Sequence, residues 1–368
     1  MRVLIPALVP QRRPAGVAIY VRELVRAWGQ SASAPELVVV TPEPQRFEEY
    51  ARSGVVKVWP ISGSLGSEAG RAIALQLRIP RIAREVGADV ILTPNFLAPY
   101  STGGIPTAVV VQDLAFRRFP STVPLTRRLY YLSCVGASIR SASVLLVTTR
   151  TVGAELAEFE PSVASRIRTT PLGVSLTHLE TVSDRNRPSK GSFLCVGTLE
   201  PRKNLARVLT AHGRLCRQFP DFPALRLVGA AGWGNGEVES VLSGHPDPGR
   251  VVRLGYCSDE ELMVEYRRAR ALVFCSLYEG FGLPIAEAMH HGCPILCSAG
   301  TALAEVAGGA ATLVDPLEVG EIESGMHRLA EDAGLCARLS LRGKQRAGNF
   351  TWAGCARRTI DALEELRA

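Results

Sequence analysis

The chain has 368 residues, 46% hydrophobic and 21% charged, with 34 glycines and 24 prolines. That composition suits a soluble α/β protein with room for two cores and excludes disordered and fibrous chains. The formal charge is +7 and its excess lies early: residues 1–175 carry 20 Lys and Arg against 12 Asp and Glu, the remainder 22 against 23. A basic first half favours an anionic partner (a membrane surface, a phosphorylated acceptor or nucleic acid), with plain solubility charge as the alternative. Nine cysteines without paired spacing read as thiols rather than a disulfide framework, so a reducing cytoplasm is the expected compartment. Cys293 and Cys297 flank a strand-like segment and read as core thiols.

Met1 to Pro6 opens a strand, too short and wrongly flanked for a signal peptide. No run reaches the roughly 20 apolar residues of a transmembrane helix, and Leu132 to Thr149 is interrupted by Arg140. After the strand Arg2 to Leu8, the loop from Gln11 leads to Gly16, a candidate phosphate or hydroxyl cradle. In the helix that follows, Val17, Tyr20, Val21, Leu24, Val25 and Trp28 recur at helical spacing. Strands are expected at Leu37–Thr41, Val55–Pro60, Asp89–Thr93, Thr107–Val111 and Val144–Thr148. Asn95 and Gln112-Asp113 follow two of these strands; Asn95 and Gln112 are acceptor-side candidates, and Asp113 is a candidate catalytic residue equally readable as a helix N-cap. Residues 115–131 interleave arginines with aromatics, which fits either a membrane-surface helix or a structural helix with a wet face.

Residues 175–191 are polar without periodicity and read as a linker. The pattern then restarts with a strand at Ser192–Val196, a helix at Asn204–Gln218 and a strand at Leu225–Val228. Ser258 and Glu261 form a capping box. Strands at Ala271–Cys275, Pro294–Cys297 and Ala311–Val314 precede a helical remainder, with Thr351 as the N-cap of the last helix. Strands alternating with helices predict two doubly wound Rossmann-like domains facing across a cleft. The expected boundaries are 1–175 and 176–352, with 353–368 returning to the first domain.

Two segments carry the chemistry. In "VGTLEPRKNL" a strand ends at Gly197 and the loop brings Arg202 and Lys203 to the mouth of a helix, where open α/β sheets bind ligands. Arg grips phosphate bidentately and Lys supplies a point charge. In "SLYEGFGLPIAEAMHHG" a strand leads into Glu279, Gly280, Phe281, Gly282 and Leu283, and Pro284 takes the first helical position. Leu283 cannot cap, so the first-turn N–H groups suit an anion, while Glu279 and Glu287 accept hydrogen bonds from hydroxyls. A solvated basic turn and a dipole-matching Glu287 are the bland alternatives. No D-x-D occurs among the nine aspartates, so neither a metal nor another cofactor is expected, and a bound diphosphate falls to Arg202, Lys203 and helix N-termini. No histidine precedes His178, so the first domain offers no imidazole base.

Glu279-Gly-Phe-Gly-Leu-Pro-Ile-Ala-Glu287 resembles the E-x7-E motif of the retaining glycosyltransferases of family four, which have the two-domain GT-B fold. Gly197 to Asn204 resembles that family's diphosphate loop. Glu305-Val-Ala-Gly-Gly, Val314-Asp-Pro and Phe350-Thr-Trp352 resemble its later landmarks, and the whole is closest to a mannosyltransferase-like subgroup. The resemblance implies that Arg202 and Lys203 bind the donor diphosphate. It assigns Glu279 and the Phe281–Gly282 backbone to the donor sugar, Glu287 to the ribose hydroxyls, and Gly16 to a loop near the phosphates. Many relatives carry His-Asp where this chain has Gln112-Asp113, and a second glycine where it has Ala18. The partners implied are a nucleotide-diphosphate sugar, GDP-mannose-like or UDP-hexose, and a sugar, lipid-linked or small-molecule acceptor. Peripheral membrane contact through the basic first domain is also expected, and nucleic acid is not, since no recognition motif accompanies the charge. A non-catalytic nucleotide-sugar-binding relative is the alternative that Gln112 leaves open.

Overall fold

The computed structural model describes every residue except 9–15, 32, 64, 120–133, 176–190, 231, 233, 235 and 368. Most of the predicted linker, the start of the Gly16 loop and most of the arginine–aromatic stretch therefore lie outside the described residues. The chain divides into two compact units, residues 1–173 with 351–368, and residues 174–350.

The first unit holds a parallel sheet ordered β3-β2-β1-β4-β5-β6-β7. Its strands are β1 (Arg2–Pro6), β2 (Glu36–Thr41), β3 (Val56–Pro60), β4 (Val90–Thr93), β5 (Thr107–Val111), β6 (Val144–Val147) and β7 (Ile167–Thr169). Every residue of β4 and β5 is buried. Helices cover both faces of such a sheet, which is why its strands read as unbroken apolar runs rather than alternating ones. Helix α1 (Val17–Gly29) buries Tyr20, Val21, Leu24, Val25 and Trp28, each at most 1% exposed. Burying each such side chain contributes roughly 1.5–3 kcal/mol.

The closing helix, Trp352–Glu364, belongs to this unit. Thr351 caps it by accepting from Gly354 N at 3.0 Å. Its Trp352 ring lies 6.2 Å from that of Tyr20 in α1. Gly173 makes the return path sterically feasible, because a Cβ there would come 2.2 Å from Trp352 N.

The second unit holds a parallel sheet ordered β10-β9-β8-β11-β12-β13. Its strands are β8 (Phe193–Val196), β9 (Leu225–Val228), β10 (Val251–Gly255), β11 (Ala271–Phe274), β12 (Ile295–Ser298) and β13 (Thr312–Val314). The helices that matter below are α2 (Leu205–Gln218), α3 (Gly236–Ser243), α4 (Asp259–Arg268) and α5 (Leu283–His290). Phe193, Leu209, Leu225, Val273, Leu296, Ile322 and Met326 are among the residues that form its core. The capping box opens α4, with Glu261 N donating to Ser258 Oγ at 3.2 Å and Ser258 N to Glu261 Oε2 at 2.8 Å.

Two strands escape the sequence reading. β7 is only Ile-Arg-Thr at a sheet edge, and β10 lies on the opposite kind of edge with no buried residue. Edge strands carry polar and charged residues, so the apolar run that marks a central strand is missing. No helix among the described residues is long and apolar enough to cross a membrane.

Candidate functional site

In the second sheet the strand order reverses between neighbouring β8 and β11. The loops leaving the C-terminal ends of two such strands form the crevice where open α/β sheets take ligands. The loop after β8 runs from Gly197 to Lys203, and the one after β11 from Cys275 to Gly282. Close backbone approach fixes the first loop. Gly197 has φ +136°, and a Cβ on Gly229 at the end of β9 would strike Gly197 O at 2.0 Å. Pro201–Lys203 form a single 3-10 turn that ends at Asn204.

Asn204 has φ 60°, and among the described residues no other non-glycine residue has a positive φ. Asparagine tolerates this left-handed conformation better than most residues. Here its buried side chain holds it in place: Nδ2 donates to Cys275 O at 3.0 Å and Pro316 O at 2.6 Å, while Oδ1 accepts from Arg207 Nη1 at 2.9 Å. Leu277 N donates to Arg202 O at 2.8 Å and joins the two loops directly.

The charged groups form a chain. Lys203 Nζ lies 2.6 Å from Glu279 Oε1, Arg202 Nη1 lies 2.8 Å from Glu279 Oε2, and Arg202 Nη2 lies 2.6 Å from Glu200 Oε1. All four side chains are at most 19% exposed. Burial pushes the Glu279 carboxyl up, but Lys203 and then Arg202 outweigh it and hold the group below its ordinary value. The sequence reading has two cations awaiting a ligand. In the structure two carboxylates already neutralise them, and the second, Glu200, escaped that reading although it stands two residues before Arg202.

The helix after Glu279 starts one residue earlier than the sequence reading places it. Leu283 is the first helical residue and Gly282 the N-cap, with φ 84° and ψ 62°. The reason is steric: the left-handed turn falls on Gly282, where a Cβ would come 2.4 Å from Leu303 Cδ2. No side chain caps this helix start, and Pro284 lies in its first turn. Phe281 packs edge-on against Phe350, with ring centroids 5.5 Å apart. Its side chain is core.

Glu287 lies beyond the first turn of α5, which contains no acid, so pairing with the helix dipole does not explain it. It accepts from Tyr266 Oη at 2.8 Å. Burial pushes its carboxyl up to about 7, against the lowering effect of the Tyr266 hydrogen bond. Tyr266 is fully buried and stacks on His291 at 6.0 Å. The structure thus puts the two glutamates in separate hydrogen-bonded systems. Tyr266 had no functional signal in the sequence, where it reads as one more apolar position of an amphipathic helix.

In the first unit the strand order reverses between β1 and β4. Gly16, with φ +45°, is the N-cap of α1 and has no side-chain cap bond. A Cβ there would lie 3.9 Å from Gln112 Oε1, so these two predicted residues are brought together. Gln112 Nε2 is buried without a hydrogen-bond partner among the described residues. Asp113 Oδ1 accepts from Ala115 N at 2.9 Å and Asn95 Oδ1 from Leu97 N at 3.2 Å, each turning its own backbone.

Residues 182–346 match the family described as Glycosyl transferases group 1, and residues 14–178 match Glycosyltransferase Family 4. The chain is 31% identical over 281 residues to O-antigen chain mannosyltransferase B of Escherichia coli, spanning 74% of this chain and 73% of that protein. Sucrose-phosphate synthase from Thermosynechococcus elongatus superposes with a TM-score of 0.77 at 19% identity, over 100% of this chain and 98% of that one. Anabaena Alr3699/HepE in complex with UDP-glucose superposes with a TM-score of 0.74 at 18% identity, over 99% of this chain and 100% of that one. At these identities the superpositions establish the fold alone, two parallel-sheet Rossmann-like domains of GT-B type.

Proposed function

The chain belongs to the group 1 and family 4 glycosyltransferases, and from that membership we propose that it is a retaining, metal-independent hexosyltransferase using a nucleotide-diphosphate sugar. The observation that carries this reading is the alternating Glu200–Arg202–Glu279–Lys203 chain at the switch point of the second sheet. The name of the Escherichia coli relative favours mannose as the transferred sugar. The UDP-glucose named with the Anabaena structure supports a nucleotide-sugar donor, so GDP-mannose is tested first and UDP-hexoses second.

In this reading Arg202 and Lys203 turn from carboxylate to diphosphate when the donor enters. Glu279, released from them, accepts hydrogen bonds from sugar hydroxyls. Gly280 to Leu283 offer backbone N–H groups at an uncapped helix start, and Glu287, oriented by Tyr266, takes the ribose hydroxyls. The bond from the anomeric carbon to the phosphate oxygen breaks while the acceptor hydroxyl forms a new one on the same face. The departing phosphate oxygen receives the acceptor proton, so protein groups contribute charge stabilisation and orientation. Gly16 lies near the donor phosphates, Asp113 acts at the reacting centre, and Gln112 and Asn95 belong to the acceptor side, with Gln112 Nε2 the donor available to a hydroxyl there. The acceptor is a sugar, a lipid-linked glycan or a small molecule, and peripheral membrane contact through the basic first unit accompanies the lipid-linked case.

Purified protein incubated with GDP-mannose or UDP-hexoses and an acceptor panel is expected to give a product whose anomeric configuration, read by NMR, matches the donor. Glu279→Ala and Lys203→Ala are each expected to lower turnover by about 10²-fold or more with unchanged circular dichroism. Full activity in both variants would overturn the site, and an inverted product would overturn the stereochemistry. Donor binding without turnover or hydrolysis across the panel would favour a non-catalytic nucleotide-sugar binder.

A further inference from the structure

The second unit carries a cluster that the reaction does not use. His212 and Cys216 lie one turn apart on the same face of α2, as an i,i+4 pair must. His245 stands two residues beyond α3 and faces them. One ligand atom from each residue fits within a mutual distance of 4.8 Å. His212 Nδ1 is 3.1 Å from His245 Nε2, and Cys216 Sγ is 3.8 Å from His212 Nδ1. A tetrahedral zinc ion with ordinary bond lengths needs about 3.3 Å between two nitrogens and about 3.6 Å between sulfur and nitrogen. The nitrogen pair differs from its value by about 0.2 Å. Cys216 Sγ is also 3.7 Å from His212 Nε2, so it lies over the imidazole face and must turn about its Cα–Cβ bond to meet an ion at Nδ1.

The surroundings fit as well. His212 Nε2 lies 2.9 Å from Pro223 O, and a carbonyl can only accept, so Nε2 carries the proton and Nδ1 turns its lone pair to the cluster. Metal-binding histidines are commonly oriented by a carbonyl in this way. Phe222 packs against the His212 ring with centroids 5.9 Å apart, while half-buried Cys216 leaves a way in. Arg250 and Asp247, whose charges act on the His212 ring, are paired with each other at 2.7 Å.

We propose that His212 Nδ1, His245 Nε2 and Cys216 Sγ bind a borderline-soft divalent cation, Zn(II) by fit, with water in the fourth position. Two imidazoles and a thiolate without a carboxylate disfavour magnesium and calcium. Without the ion, His245 Nδ1 accepts from Asp247 N at 3.2 Å, so its Nε2 proton is donated to His212 Nδ1. Binding moves that proton to His245 Nδ1, at the expense of the long bond from Asp247, and releases the Cys216 thiol proton to solvent. The ion would fasten the far half of the helix that begins immediately after Arg202, Lys203 and Asn204.

The test uses the full chain stripped with a chelator and titrated with Co(II) as the optical probe, then with Zn(II). Tetrahedral d–d absorption and a thiolate-to-cobalt charge-transfer band are expected at one ion per chain, with displacement by Zn(II) and a rise in unfolding temperature. Cys216→Ser is expected to remove the charge-transfer band. His245→Gln is expected to weaken Zn(II) binding by more than about tenfold. Absence of the band in the wild-type chain, or cobalt and zinc binding unaltered in Cys216→Ser, overturns the proposal. Because Cys216 is only half-buried, that conservative variant keeps the test decisive even if His245→Gln fails to fold.

Discussion

Glu200 occupies one side of the Arg202 guanidinium, and its charge competes with any diphosphate for that side. Glu200→Gln is therefore expected to tighten binding of a nucleoside diphosphate by about threefold, a fraction of a kcal/mol, in isothermal titration calorimetry. Weaker binding would show that Glu200 positions the arginine instead. A second expectation follows from titration. Glu287 holds its proton up to about 7 against an ordinary 4.5, so it contributes stability that is fully present below 4.5 and is lost as pH rises to 7. His212 and His291 are held down at about 4 against an ordinary 6.5, mainly by burial, so their contribution is complete above 6.5 and is lost as pH falls. Between 4.5 and 6.5 two imidazoles oppose one carboxylate, and His245 and His290 are shifted in the same direction as those two. Unfolding temperature in the presence of chelator should accordingly fall from pH 6.5 to 5, and Glu287→Gln should steepen that fall. An identical slope in the variant would remove Glu287 from the account. Of these side chains, Arg202, Lys203, Glu279 and Glu287 were legible from local spacing. Asn204 was not, because the carbonyls it holds belong to residues 275 and 316, and no local pattern announces partners so far along the chain.

The start of α5 shows what an element demands of one position. Gly282 combines a left-handed backbone with a side chain of Leu303 where its Cβ would be. Gly282→Ala should cost about 1–3 kcal/mol from the backbone alone, read from the midpoint of urea denaturation, with further loss from the clash. A variant as stable as the wild type would mean that the turn relaxes freely. Elements were legible where both faces are buried, as in β4, β5 and β11, whose residues are all apolar or threonine. They were illegible at β7 and β10, where solvent permits arginine and the pattern dissolves. The one-residue error at α5 has a similar origin, since a proline marks the first turn of a helix but not which neighbour takes the turn before it.

Across the whole molecule, the restart of the strand–helix alternation near residue 192 made a second α/β domain legible. The pairing order of the strands was not legible, because it depends on which apolar faces meet. The first unit is discontinuous: its closing helix buries Trp352, Cys355, Ala356, Thr359, Ala362 and Leu363. Deleting residues 351–368 is expected to lower the unfolding temperature of the first unit while leaving that of the second unchanged, seen as separation of two calorimetric transitions. Equal loss in both would show that the units unfold together. The same discontinuity sets a clock on the ribosome. All 177 residues of 174–350 are polymerised before residue 351 appears, which takes about 9–35 s at cellular elongation rates. For that interval the second unit can complete its sheet while the nascent first unit still shows the Tyr20 side of α1, an interim surface for chaperones to shield.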